Sequence, residues 1–372
     1  MKFQLAAFCR TTLPLDIGQF AALDDGRYHS LWFPDHYVSF WPDSIWTPEF
    51  TDLATVSKSP HRYVETFSVI GAAAALTRRV GLVTTVTDTI RRHPALLAQT
   101  ALTLGHLSRG RFVLGIGCGE RENAVPYGLP FDRPVGRFEE ALEVIRLLFR
   151  AEGPVDYHGR FFQLEHARMD TEPFEGRPPP IWIGASGPRM LELTGRIADG
   201  WLPTNIGSPE EYAGKLSVIR AAAERAGRDP DAIVPTCFLL CLIGDDAEIS
   251  EILRAPLVKS YIFQVSAQEL RRHGHAHPCG ENWRGFIDLD PHAMTRERLQ
   301  QVIAQTPEEL LRKLIMHGTP RQVAAQLKPY ADAGVRVARM LDYSGMAGLK
   351  FAAAAPAKMR ATEDALLTLV GS

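Results

Sequence analysis

Eight short apolar runs, each set apart from the next by loops or by segments of helical periodicity, constrain this chain more than any other feature. They are Phe3 to Cys9, Ser30 to Phe33, Val80 to Val86, Arg111 to Gly117, Ile181 to Gly184, Gly200 to Leu202, Ile233 to Ile243 and Val335 to Leu341. Their shortness and their apolar or β-branched content predict buried strands. Between them, Phe138, Ala141, Leu142, Ile145, Leu148 and Phe149 fall on one helical face. A second helix starts at Pro94 and carries Leu97, Ala101 and Leu104, and a third starts at the cap Thr319-Pro320. Strand and helix alternate with no change of composition, which predicts parallel βα units closing into a (β/α)8 TIM barrel. No G-x-G-x-x-G follows the first strand, which disfavours a doubly wound sheet.

The chain of 372 residues accommodates such a barrel plus insertions as a single domain over residues 1–372. No linker divides it. Extra sequence lies in the aromatic, Pro-rich segment Tyr37 to Tyr63 and in an insertion at about residues 245–305, both beyond strand ends. Loops at the C-terminal face of a barrel build the active site.

Charge excludes some partners. The 41 basic and 43 acidic residues are dispersed, so the sequence carries no footprint for nucleic acid, and a small-molecule substrate is expected. No run is long enough for membrane insertion, and the start of the chain is strand-like, so a cytoplasmic setting is expected. Five scattered cysteines suit buried thiols in a reducing compartment. Cys237 and Cys241 lack neighbours at metal-ligand spacing, and His273, His275 and His277 have no carboxylate or thiolate set beside them, so no metal is expected.

The strand ends hold the chemistry. After the second strand come Asp35 and His36, and an imidazole at a rim can exchange a proton with a substrate oxygen or simply bond to backbone. The third strand ends in the hydroxyl cluster Thr84, Thr85, Thr87 and Thr89, suited to a polar heterocycle or to ordinary strand-end bonding. The fourth ends with Gly115, Gly117 and Gly119, which admit another molecule or backbone, then Glu120 and Asn123. The fifth runs through Gly184, Ala185, Ser186 and Gly187 into a helix start whose free N–H groups suit a phosphate.

Five stretches together carry a resemblance: Trp-Phe-Pro-Asp-His at 32 to 36, Arg-Arg-His-Pro-Ala-Leu-Leu-Ala-Gln-Thr at 91 to 100, Leu-Gly-Ile-Gly-Cys-Gly-Glu at 114 to 120, Arg-Phe-Glu-Glu-Ala at 137 to 141 and Ile-Trp-Ile-Gly-Ala-Ser-Gly-Pro at 181 to 188. The chain resembles the bacterial-luciferase-like flavin or deazaflavin oxidoreductases over nearly its whole length. Asp-His and Gly-x-Gly-Glu are similar to the branch using coenzyme F420, and further stretches look most like the phthiodiolone ketoreductases. The resemblance implies a ketoreductase or alcohol dehydrogenase with His36 as proton donor or acceptor, Glu120 as second acid and Trp41 as an orienting wall. It implies cofactor contacts at Asp35, Thr87, Asn123 and the turn Gly184, Ala185, Ser186 and Gly187. It also implies a non-prolyl cis peptide at Thr84-Thr85, behind the ring, and a homodimer. The sugar-phosphate enzymes of that branch carry a lysine where this chain reads Thr204-Asn205-Ile206-Gly207-Ser208, which argues against a phosphorylated sugar. Phe40, Trp41, Trp46 and Phe50 offer instead either an apolar pocket wall for a bulky apolar substrate or a packed loop with no substrate contact. Two other readings stay open: an FMN-dependent monooxygenase using dioxygen, and a non-catalytic flavin- or deazaflavin-binding relative.

Overall fold

The computed structural model describes residues 2–203 and 206–371. All eight expected strands form, within a residue or two of their expected ends: β1 Gln4–Phe8, β2 Tyr28–Phe33, β3 Gly81–Thr84, β4 Phe112–Gly117, β5 Ile181–Ile183, β6 Gly200–Trp201, β7 Val234–Ile243 and β8 Val337–Asp342. Each pairs in parallel with the next, and β8 returns to β1, so the sheet closes as a (β/α)8 barrel. A further strand, Met316–Gly318, lies along β7.

The helices are α1 Thr66–Leu76, α2 Pro94–Ser108, α3 Pro134–Phe149, α4 Pro188–Ile197, α5 Pro209–Arg225, α6 Pro320–Asp332 and α7 Leu349–Val370. From α2 to α6 each has proline in its first turn, where a missing N–H costs no helical bond. Capping is explicit at α6, where Thr319 and Gln322 bond reciprocally to each other's backbone. The α3 face read from sequence is the buried one, with Phe138, Ala141, Leu142, Ile145, Leu148 and Phe149 all turned to the sheet.

Two apolar layers result. Most of the core lies between sheet and helices, while a smaller cluster of Ala6, Trp32, Val83, Trp182, Leu202 and Val337 fills the barrel. Inside it, Trp32 Nε1 donates to Ser30 Oγ at 2.9 Å, which satisfies the buried indole.

The glycines of β4 admit backbone. A Cβ on Gly115 would stand 1.8 Å from the Thr84 carbonyl oxygen, so a side chain there would push β3 and β4 apart. Gly119 has φ +86, which turns the chain sharply toward Glu120.

The segment from Asp245 onward is helical, with Asp246–Arg254, Ala267–Arg272 and Arg296–Ala304 among its elements. It packs on the loop after β2. Ile45, Leu257, Ile262, Phe263, Leu299 and Val302 form a satellite core, against which Phe40, Trp41, Trp46 and Phe50 lie. One hairpin, Val155–His158 with Gln163–Ala167, lies outside the alternating pattern. All five cysteines are free, with Cys9, Cys237 and Cys241 fully buried. No helix among the described residues is long and apolar enough to cross a membrane.

Candidate active site

Strand order brings the ends of β2 and β4 to one rim, and two side chains meet there. His36 Nδ1 lies 3.0 Å from Glu120 Oε2. The imidazole is 12 % exposed and the carboxylate 36 %, so the pair borders solvent without being flooded by it. Asn123 clamps both: its Nδ2 donates to Glu120 Oε2 at 3.0 Å, and its Oδ1 accepts the Tyr37 and Val38 amides at 2.7 and 3.2 Å. Phe40 and Tyr63 pack on the imidazole, with ring centroids 5.3 and 5.4 Å away. Burial works against the charge on Glu120, but the fields of His36 and Arg91 and the Asn123 bond outweigh it and hold the carboxyl below its ordinary range.

Beneath this pair lies a second polar group of different character. Asp35 is 3 % exposed, and Oδ2 alone meets Thr87 Oγ1 at 2.7 Å, Arg92 Nη1 at 2.5 Å and Arg91 Nη2 at 3.0 Å. Arg91 also pairs with Asp88 at 2.5 Å, and Arg92 with Glu65 at 2.9 Å. Burial opposes ionisation of Asp35, yet the two guanidinium groups prevail and its carboxyl stays below the usual range.

A third acid is buried without a partner. Glu122 is 1 % exposed and neither oxygen meets a donor. Burial, together with the charge of neighbouring Glu120, pushes its carboxyl up to about 9, so it holds its proton at neutral pH.

The family described as Luciferase-like monooxygenase matches residues 17–337. The chain belongs to that family. A phthiodiolone/phenolphthiodiolone dimycocerosates ketoreductase of Mycobacterium tuberculosis is 38% identical over 338 residues, spanning 90% of this chain and 88% of its own. An F420-dependent glucose-6-phosphate dehydrogenase of Nakamurella multipartita is 41% identical over 169 residues, 44% of this chain and 49% of its own. Among solved structures, an F420-dependent secondary alcohol dehydrogenase in complex with an F420-acetone adduct shares the fold at TM-score 0.69 and 20% identity, covering 97% of this chain and 99% of that one. A long-chain alkane monooxygenase does so at TM-score 0.70 and 16% identity, covering 100% and 91%. This luciferase-like chain is an oxidoreductase.

Several expected site residues of this luciferase-like barrel have other duties. Thr84 is fully buried, and its hydroxyl donates to the Gly115 carbonyl and accepts from the Gly115 amide, at 2.7 and 2.8 Å, which ties β3 to β4. The non-prolyl cis peptide joins Thr85 to Val86, one residue beyond the expected place. Asp35 and Thr87 spend their polar atoms on each other and on arginine. Asn123 spends its own on Glu120 and the loop after β2. Trp41 stacks on Tyr343, at 6.0 Å between ring centroids, and lies between two apolar clusters; the rings against His36 are Phe40 and Tyr63. Trp46 donates to the Ser57 carbonyl at 2.7 Å, and Phe50 lies under Arg296, so these rings belong to the satellite core.

The remaining residues fit a polar planar cofactor. Thr85 Oγ1 is buried and unpartnered at the end of β3. Val86 lies against Gly117 and Gly184, and a Cβ on either glycine would stand 3.1 or 3.4 Å from it. Ser186 and Gly187 are exposed where α4 begins, and no side chain caps that helix, so its first N–H groups are open to an anion. Ala185 is held by Trp201 Nε1, which donates to its carbonyl at 2.9 Å. A groove of about 580 Å³ lined by Arg133, Arg160 and Arg189 as well as Glu139 and Glu140 adjoins that helix start. Of the stretch Thr204 to Ser208, Thr204 and Asn205 lie outside the described residues.

The three histidines of the insertion do not meet at one point. His273 faces Glu269 at 3.3 Å, while His277 is buried and bonded at 3.1 Å to the Ile262 carbonyl. Among the described residues, Asp43, His61 and His292 stand close enough to share an ion. The Ser39 amide, however, donates to His61 Nδ1 at 3.0 Å, which leaves the ring proton on Nε2, the atom facing Asp43. This group is a polar bridge between the loop and the insertion.

Sequence reading missed the arginine pair beneath Asp35, the Tyr63 wall and the neutral Glu122. Only the first had a signal: two adjacent arginines next to a strand end need carboxylates when buried.

Proposed function

We propose that the chain is an F420-dependent ketoreductase or secondary-alcohol dehydrogenase, transferring a hydride between deazaflavin and a carbonyl carbon. The observation that carries this is the His36–Glu120 pair, 3.0 Å apart and held by Asn123 at the rim. Thr85, Ser186 and Gly187, with Ala185 and Gly184 behind them, would hold the cofactor. When bound, reduced F420 supplies the hydride.

His36 does the proton work. Its Nδ1 is engaged by Glu120, which leaves Nε2 for the substrate oxygen, and in the reductive direction that nitrogen protonates the nascent alkoxide. Glu120 orients the ring and stabilises the imidazolium before donation. Phe40 and Tyr63 restrict water around the imidazole and so strengthen both interactions. The FMN monooxygenase reading draws support from the fold shared with an alkane monooxygenase. Deazaflavin has carbon where flavin has N5 and does not readily form the oxygen adduct which that reaction needs. Support for F420 comes from Asp35-His36, Gly119-Glu120 and the relatives named above. A homodimer and a cytoplasmic setting go with the reading, and sedimentation and cell fractionation test them.

The experiment pairs purified protein with reduced F420 and with reduced FMN, and measures affinity, ketone-dependent oxidation and oxygen uptake. Micromolar F420 binding with oxidation that requires a ketone and is indifferent to oxygen is expected. Tight FMN binding with oxygen consumption would replace this assignment by the monooxygenase. Stoichiometric binding without any turnover would point to a non-catalytic relative.

A further inference from the structure

Arg339 lies inside the barrel, and among the described residues nothing neutralises it. It stands on β8 two positions beyond Val337, which belongs to the interior cluster, so strand alternation turns it to the same inner face. Register sets it beside Ala6 of β1 and Phe238 of β7. Its guanidinium carbon is 4.0 Å from the ring centroid of Phe8 and 4.3 Å from that of Phe238, so the charged group is gripped between two aromatic rings. The residue is 7 % exposed, and its Nε is buried with no acceptor.

The contrast with the other arginines at this end of the barrel is direct. Arg91 and Arg92 are each paired with two carboxylates, whereas Arg339 has aromatic faces and no anion. Two cation–π contacts offset only part of the cost of taking a guanidinium out of water, and the rest is recovered when an anion arrives. Burial lowers its pKa to about 9, which leaves it charged at neutral pH. Tyr63 links it to the candidate site: its ring packs on His36, and its hydroxyl is pushed up by burial and the field of Glu120 and drawn down by that of Arg339.

We propose that Arg339 anchors an anionic group of the substrate, so that the site takes an oxo acid or the matching hydroxy acid, with the carboxylate on the guanidinium and the carbonyl toward His36. The carbonyl half rests on the function proposed above; the anion half does not. A planar guanidinium fixed between two rings presents its terminal N–H groups as a fork that suits a carboxylate. Phosphate shares that chemistry, and the test separates the two.

The test is calorimetric titration of the chain, with and without oxidised F420, using levulinate, its neutral methyl ester and inorganic phosphate. Levulinate binding at least tenfold tighter than the ester, and tighter than phosphate, is expected. Arg339→Met should erase that preference, leave F420 affinity within twofold, and melt no lower than the parent, because it removes a buried charge that has no partner. Arg339→Lys, which keeps the charge without the fork, should retain part of the preference and serves if the methionine variant does not fold. Equal affinity for acid and ester, or an unchanged preference in Arg339→Met, overturns the proposal. Tighter phosphate binding overturns the carboxylate, and a tenfold loss of F420 affinity in Arg339→Met reassigns the guanidinium to the cofactor. A carboxylate preference that persists in a chain unable to bind F420 upholds the anchor while the cofactor assignment falls.

Discussion

Asp35 and His36 are neighbours in the chain but belong to two different regions. Asp35 lies under the rim, with both oxygens taken by Thr87, Arg91 and Arg92, and is sealed from water. His36 stands one residue further on, at the rim, with a single acid beside it and an edge still open. The first region has no unspent bonding capacity on its acid and therefore holds shape. The second is held on one side only and so can exchange a proton. A barrel that must place an imidazole to within a fraction of an ångström builds a rigid ion network directly beneath it.

The largest effect that can break this comparison is on stability. Asp35→Ala leaves two buried guanidinium groups short of a partner, and loss of one member of a buried pair costs about 3–5 kcal/mol. Chemical denaturation should show that loss, and a change below about 1 kcal/mol would mean the network is ornamental. Because the carboxyl of Asp35 is held below its ordinary value, its contribution is present above that value and is lost as pH falls through the lower, folded one.

Asn123→Ala comes next and sharpens the boundary between the regions. It removes the donor to Glu120 and the acceptor for two amides of the loop after β2, worth about 1–3 kcal/mol of orientation, or roughly five- to 150-fold in turnover. Steady-state kinetics should place the loss in kcat more than in KM. A pure KM effect would instead make Asn123 a substrate contact.

Glu122→Gln has an effect visible only as a pH dependence. Below pH 4.5 folded and unfolded chains both keep this proton; from there to about 9 the unfolded chain releases it and the folded chain does not, so stability falls as pH rises. The glutamine variant should lack that slope, gaining on the parent between pH 5 and 9 by up to ~1.4 kcal/mol per pH unit. Parallel melting curves across that range would show that Glu122 is not neutral.

The architecture was legible because strand length and helical period are local signals. All eight strands, and the α3 face from Phe138 to Phe149, follow from them. The rim was legible as well, since a residue just past a barrel strand has only one end of the barrel to face; His36 and Glu120 meet for that reason. What escaped was pairing across the fold. Asp35 looked available because Arg91 and Arg92 stand 56 and 57 positions away, and nothing near Asp35 announces them. Thr84 looked like a ligand contact because a hydroxyl at a strand end reads the same whether it meets a heterocycle or, as here, the backbone of Gly115. Phe40, Trp41, Trp46 and Phe50 looked like one pocket wall, yet the insertion some 200 residues later covers most of them and leaves Phe40 against His36.

The central claim is that His36, steadied by Glu120, moves the proton while F420 supplies the hydride. It is tested most directly by rapid mixing of F420H2-loaded protein with a ketone, comparing the parent with His36→Ala at equal cofactor occupancy. The expected result is deazaflavin oxidation slowed by about 10²–10⁴-fold in the variant, with F420 affinity little changed. Oxidation at the parent rate in His36→Ala would contradict the account.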